Sequence, residues 1–217
     1  MQAESSGFNS VCMAEAWRSA WVPLTAMAAA TSTIQLGTYV LNAYGHSPLW
    51  SGMAAIDCQE FSGGRLVLGV GGGNRIINEQ WQGIPHERVL TKMREYVTLM
   101  KMMGRTRLGE RLVYDGKIHQ MDWSPSVDPG ETPFPVYLAA VFPRMLKVAA
   151  EVADGIGAGA TLSADYLRET MKPRAFAAAT AAGRDPAAIK WSAVGVIAAH
   201  ADRELARRAA REAICHL

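Results

Sequence analysis

The stretch IQLGTYVLNAYGHSPLWSGMAAIDCQEFSGGRLVLGVGGGN, residues 34–74, decides the fold. Residues 34–41 and 65–70 are apolar without strict alternation, which is typical of strands covered on both faces of a parallel sheet. Between them, residues 49–61 have a helical composition and stop at Ser62-Gly63-Gly64, a glycine signal for a helix end. This order predicts a strand–helix–strand unit with a right-handed crossover.

The same alternation continues on both sides of this unit. Further strands are predicted at residues 9–14, 136–140, 155–159 and 191–199, and further helices at residues 23–31, 85–103, 143–153, 163–182 and after Asp202. Such an order is typical of a doubly wound sheet or of a (β/α)₈ barrel. Because only about six of a barrel's eight strands can be found, we expect the first and last βα units to be largely missing. Residues 1–217 would then form a single domain truncated at both ends.

Residues 104–134 interrupt the rhythm and are interpreted as an insertion. Within them, residues 113–118 read Val-Tyr-Asp-Gly-Lys-Ile, and the Asp-Gly pair predicts a hairpin with a two-residue turn. Prolines and glycines after Asp128 then indicate a loop.

Composition excludes several classes of function. Hydrophobic residues make up 49% of the chain and the net charge is +2, so no nucleic-acid partner is expected. The longest apolar stretch, near residues 21–30, is too short to span a bilayer, so no membrane partner is expected. The cysteines, Cys12, Cys58 and Cys215, lie far apart without metal-ligand spacing, so no metal site is expected. Unpaired thiols favour a reducing cytoplasm.

Three places carry residues suited to chemistry. Glu15 follows the first predicted strand, where a barrel places catalytic acids, although a salt bridge to Arg18 or Arg65 would explain it equally well. Glycines at residues 69–73 either approach a phosphate or form a plain turn. His46 is a candidate acid or base in the loop after the second predicted strand, although histidines in such loops are more often ordinary surface residues.

Several motifs together resemble the luciferase-like superfamily, and in particular its oxidoreductases that depend on the deazaflavin coenzyme F420. Residues 7–17 read GFNSVCMAEAW, residues 23–38 read PLTAMAAATSTIQLGT, and residues 61–71 read FSGGRLVLGVG. Residues 135–140 and 151–155 match later strands of that family. The resemblance covers almost the whole chain, with its motifs in the expected order.

The resemblance implies a barrel that holds F420, or alternatively FMN, at the carboxyl ends of its strands. It implies a cis peptide bond between Tyr39 and Val40, in a strand that bulges behind the cofactor ring. The residues implied in cofactor binding are Tyr39, Val40, Asn42, Gly71, Gly72, Gly73, Ala140, Val141 and Phe142. Glu15 is the candidate catalytic residue, and His46 and Asn74 are the candidates on the substrate side.

The chain also departs from its relatives. Ala16 stands where some relatives carry His, Asn74 where some carry Glu, and His46 where relatives often carry Arg, so catalytic residues of those branches do not transfer. We expect an oxidoreductase that moves a hydride between F420 and a small organic substrate, and a homodimer in the full-length protein. The alternatives are an FMN-dependent monooxygenase that reduces oxygen, and a non-catalytic remnant that binds a flavin or nothing.

Overall fold

The structure is a computed structural model that describes residues 2–15, 17–130 and 132–215. Its helices are α1 Gln2–Ser5, α2 Trp21–Ala30, α3 Pro48–Phe61, α4 Val89–Met103, α5 Pro143–Val152, α6 Lys172–Ala181 and α7 Arg203–Cys215. Its strands are β1 Ser10–Met13, β2 Gln35–Thr38, β3 Leu41–Asn42, β4 Leu66–Gly71, β5 Leu112–Asp115, β6 Gln120–Trp123, β7 Val136–Ala139, β8 Gly155–Ala158 and β9 Lys190–Ala193. Two segments, Ile76–Trp81 and Tyr166–Met171, are π-helical.

The main sheet has six parallel strands in the order β1-β2-β4-β7-β8-β9, and the short β3 pairs with β4. Spatial order follows chain order, so there is no point where the order reverses, as it does in a doubly wound sheet. This confirms the incomplete barrel of about six strands and rejects the doubly wound alternative. Within the described residues, β1 and β9 are the two edges.

One face of the sheet packs against the helices and forms the core. Leu36, Leu66, Leu138 and Ile156 are each no more than 1% exposed, and in the sheet Leu36 pairs with Leu66 and Leu138 with Ile156. Because side chains alternate along a strand, the residues between them lie on the other face. Burial of these four side chains on the helix side therefore fixes the register between the strands.

The other face is concave, and Tyr39 demonstrates this. Its hydroxyl donates to the carbonyl of Ala158, 2.8 Å away, although β4 and β7 separate β2 from β8. In a flat sheet those strands would be about 14 Å apart, beyond the reach of a tyrosine. Gly157 leaves the room, since a Cβ there would lie 3.0 Å from the Tyr39 hydroxyl.

Two arginines donate hydrogen bonds to the carbonyls at the carboxyl ends of helices. Arg65, directly before β4, donates to the carbonyls of Ala28 and Thr31 at the end of α2, at 3.1 and 2.9 Å. Arg184, shortly before β9, donates to the carbonyls of Ala150 and Ala153 around the end of α5, at 2.6 and 2.7 Å. The final carbonyls of a helix have no partner within it, so these guanidinium groups replace the missing donors.

Three predicted elements need correction. The strand expected over residues 191–199 ends at Ala193, and Ile197 beyond it is 91% exposed. The helix expected from Pro85 begins at Val89. The strand expected over residues 34–41 is divided into β2 and β3, and the peptide bond between Tyr39 and Val40 is cis, as predicted.

The hairpin within residues 104–134 is present, but its turn differs from the prediction. Asp115 pairs with Gln120, so the turn contains residues 116–119 rather than an Asp-Gly pair. Glu95 on α4 holds this turn, because its carboxylate accepts the backbone N–H groups of Lys117, Ile118 and His119 at 2.8 to 2.9 Å. A tertiary contact has therefore overridden the local turn signal.

Among the described residues, no helix combines the length and the apolar character needed to cross a membrane. Nor do residues 2–15, 17–130 and 132–215 contain a cluster of three or more potential metal ligands.

Candidate active site

The residues expected at the site lie at the carboxyl ends of strands or in the loops that follow. Glu15 comes shortly after β1, Tyr39 directly after β2, Gly72 directly after β4, and Ala140 directly after β7. These strands are parallel neighbours, so their following loops meet on one side of the sheet. That side is where a barrel carries its active site.

Glu15 and His46 form a carboxylate–imidazole pair. Glu15 Oε2 lies 2.9 Å from His46 Nε2 and accepts the backbone N–H of Asn42 at 3.0 Å. The Glu15 side chain is 14% exposed and that of His46 is 32% exposed, so solvent reaches the pair from the histidine side. His46, rather than Arg65, is therefore the partner of Glu15.

The environment of Glu15 keeps it ionised. Burial raises the pKa of Glu15, but hydrogen bonds from His46 and Asn42 outweigh it and hold the pKa below its usual value. A carboxylate bonded to His46 Nε2 favours the proton on that nitrogen and leaves Nδ1 as an acceptor. The pair can therefore take up or deliver a proton at His46.

Asn42 joins this pair to the glycine loop, which is formed by residues 71–73. Its side-chain Oδ1 accepts the backbone N–H of Tyr44 at 3.0 Å, and its Nδ2 donates to Asn78 Oδ1 at 2.9 Å. A Cβ on Gly73, whose φ is +62°, would lie 2.8 Å from Asn42 Nδ2. Glycine is thus required at residue 73 for two reasons, the left-handed backbone and the close approach of Asn42.

The glycine loop lies beside the start of α5. A Cβ on Gly71 would lie 3.5 Å from that of Ala139, so the loops after β4 and β7 are adjacent. Helix α5 begins at Pro143, and Phe142 before it provides no side-chain cap. Open N–H groups at a helix start, next to glycines, form a cradle suited to phosphate.

The family model described as luciferase-like monooxygenase matches residues 1–217. The chain belongs to the luciferase-like monooxygenase family. The 5,10-methylenetetrahydromethanopterin reductase of Archaeoglobus fulgidus is 34% identical over 212 residues, which are 96% of this chain and 61% of that protein. The F420-dependent glucose-6-phosphate dehydrogenase of Kineococcus radiotolerans is 32% identical over 200 residues, which are 85% of this chain and 58% of that protein.

The fold of this luciferase-like chain agrees with the family assignment. The solved structure of the coenzyme F420-dependent tetrahydromethanopterin reductase of Methanopyrus kandleri matches it with a TM-score of 0.81 at 25% identity. The match covers 98% of this chain and 65% of that one. The chain spans about three-fifths of the length of the curated relatives that it matches.

The luciferase-like site also has a cavity that the sequence did not reveal. A cavity of about 420 Å³ adjoins Glu15 and His46 and is bordered by Trp17, Trp81 and Arg18. The two indole rings lie 4.9 Å apart between centroids, and Trp17 is 82% exposed. Exposed aromatic surface beside this carboxylate–imidazole pair is suited to an apolar or planar ligand.

Two of the expected residues, Asn74 and Phe142, lie in surroundings that the sequence did not predict. Asn74 Oδ1 accepts the backbone N–H of Ile77 at 2.8 Å, so its side chain begins the π-helical segment. Phe142 is 75% exposed. Conversely, Asn78 was missed, since one asparagine in a polar segment carries no sequence signal, yet it is fully buried and bonded to Asn42.

Proposed function

We propose that this chain is the cofactor-binding and catalytic part of an F420-dependent oxidoreductase acting on a small organic substrate. The observation that carries the proposal is the ionised Glu15 bonded to His46 beside a cavity, on the same side of the sheet as a cradle suited to phosphate. Two of the similar proteins, the glucose-6-phosphate dehydrogenase of Kineococcus radiotolerans and the tetrahydromethanopterin reductase of Methanopyrus kandleri, are F420-dependent.

The described residues fit such a cofactor at two points. Gly72 and Gly73 and the open start of α5 would hold its phosphate, and the backbone at Tyr39 and Val40 would support the ring. When bound, F420 supplies or accepts the hydride. His46 would take the substrate's proton or return it, with Glu15 fixing the orientation of the imidazole. Trp17 and Trp81 would offer apolar surface to the substrate.

The proposal is tested by titrating the chain with F420 and, in parallel, with FMN, and by following the fluorescence of each. Saturable binding of F420 in preference to FMN supports it. FMN-only binding would favour the flavin monooxygenase alternative, and binding of neither would favour the non-catalytic remnant.

A matched pair of glycine variants locates the site. Gly73 and Gly183 both have positive φ, +62° and +70°, but only at Gly73 would a Cβ meet a neighbour within 4 Å. Both G73A and G183A should therefore lose about 1 kcal/mol of stability to backbone strain. Only G73A should also lose F420 affinity, by about tenfold or more. Equal affinities of the two variants would remove the glycine loop from the site.

A further inference from the structure

A buried chain of hydrogen bonds behind the glycine loop ends on a histidine. Asn78 is fully buried, and its Nδ2 donates to the Gly72 carbonyl at 2.7 Å and contacts His86 Nδ1 at 2.7 Å. Its Oδ1 faces Asn42 Nδ2 at 2.9 Å. The chain therefore links Glu15, through Asn42 and Asn78, to His86.

The backbone fixes the direction of every bond in this chain. The N–H of Tyr44 can only donate, so the Asn42 atom facing it is oxygen, and Asn42 must present its amino group to Asn78. The Gly72 carbonyl can only accept, so the Asn78 atom facing it is nitrogen. The remaining hydrogen of that amino group points to His86, whose Nδ1 must accept it. The imidazole form that satisfies this contact is the one with its hydrogen on Nε2.

We propose that Asn78 is a positioning residue that orients the glycine loop for the cofactor. It can hold the loop in this way only while His86 is neutral. The proposal rests on the proposed function, in which Gly72 and Gly73 hold the cofactor phosphate. In a trans peptide the C=O and N–H point in opposite directions. A Gly72 carbonyl held by Asn78 thus turns the Gly73 N–H away from the buried amide. Protonation of His86 at Nδ1 would set two donors against each other and disconnect the loop.

The charged and titratable groups around His86 are few in the described structure. The Tyr44 ring stacks on the imidazole at 5.0 Å, and Lys92 Nζ lies 4.1 Å from the centroid of Tyr44. The carboxylate of Glu79 accepts the backbone N–H of His86 at 3.2 Å, and Glu87 follows in the chain.

The variant N78D separates positioning from packing. The new carboxylate cannot donate to Gly72 or to a neutral His86, but it can accept from an imidazolium. F420 affinity of N78D should be about tenfold lower than that of the wild type at neutral pH. It should recover partly as the pH falls, whereas wild-type affinity should weaken over the same range. The variant Q80E makes the same chemical change at an exposed position of the same segment, and should behave as the wild type.

Nitrogen-15 NMR of the histidines tests the geometry without any cofactor, and H86Q assigns the signal. Wild-type His86 should carry its hydrogen on Nε2 at neutral pH, and N78D should raise the fraction protonated at Nδ1. A hydrogen on Nδ1 in the wild type would overturn the proposal, as would an N78D affinity that follows the wild type at every pH. If the wild type binds neither F420 nor FMN, the proposed function fails, while the NMR result still decides whether Asn78 holds His86 neutral.

Discussion

At the residue scale, Glu15 owes its charge to its partners rather than to exposure. Its position after a predicted strand was readable from the sequence, because barrel acids occupy such places. Its partner was not, since the sequence suggested only a neighbouring arginine, Arg18 or Arg65. The structure selects His46, which lies 31 residues away, because the loops after β1 and β3 lie side by side.

The variant E15Q should lower turnover by about a hundredfold or more, as expected for disturbing a general acid–base pair. The glutamine amide cannot stabilise a protonated His46 as a carboxylate does. F420 affinity should change less than turnover, because Glu15 is bonded to the backbone of Asn42 rather than to the glycine loop itself. Steady-state kinetics with a direct cofactor titration separates the two effects.

The matched control for E15Q is E60Q, which makes the same change at an exposed position of α3. E60Q should keep wild-type turnover. If both variants lose turnover, or if both keep it, Glu15 does not act with His46.

At the element scale, the hairpin β5–β6 depends on a carboxylate in α4. Burial raises the pKa of Glu95, but hydrogen bonds from His119, Ile118 and Lys117 outweigh it and hold the pKa below its usual value. Since the folded-state pKa is the lower one, Glu95 stabilises the fold above its unfolded pKa of about 4.3. That contribution is lost as the pH falls through the lowered value.

The variant E95Q should therefore destabilise the protein at neutral pH by about 1–3 kcal/mol. An amide can accept fewer of the three N–H groups that the carboxylate now accepts. The difference from the wild type should shrink below about pH 4, as urea unfolding at several pH values would show. Unchanged hydrogen exchange at residues 117–119 would contradict this account of the turn.

The arginine contacts at the ends of α2 and α5 give a second prediction at this scale. The guanidinium group of Arg65 donates five hydrogen bonds, whereas that of Arg184 donates two. Lysine has no planar fork, so R65K should lower the free energy of unfolding by about 2 kcal/mol and R184K by less. Thermal and urea unfolding of both variants shows which one loses more stability. A larger decrease in the free energy of unfolding in R184K than in R65K would refute the prediction.

The elements that sequence predicted well are those whose own residues decide them. Leu66–Gly71 and Pro48–Phe61 agree closely with expectation, because continuous apolar character and the Ser-Gly-Gly stop are local properties. The errors occur where a distant contact decides. The hairpin turn follows Glu95, and the run after Ala193 has no neighbouring strand beyond β9 among the described residues, so its apolar composition alone does not make it a strand.

At the scale of the whole molecule, the six-stranded sheet does not close on itself within the described residues. Strands β1 and β9 each present one unpaired backbone edge, and such edges recruit other strands. Cys12 is exposed on β1, and Cys215 is exposed on α7. The two cysteines therefore provide a matched test of the edge.

Under reducing conditions the chain should self-associate as its concentration rises. The variant C12K places a charge on the edge strand and should reduce that association, because desolvating lysine opposes strand pairing. C215K adds the same charge away from the edge and should have no such effect. Light scattering coupled to size-exclusion chromatography measures both, and a monomeric wild type at all concentrations would refute the prediction.

The arginine contacts also bear on how the chain is completed as it leaves the ribosome. Synthesis runs from the amino terminus, so the carbonyls at the end of α2 lack this donor until Arg65 is translated, 34 to 37 residues later. The carbonyls at the end of α5 lack theirs until Arg184 is translated, 31 to 34 residues later. The end of each helix therefore gains its arginine contact only after the following helix has been synthesised. The same order of events applies to α2 and to α5.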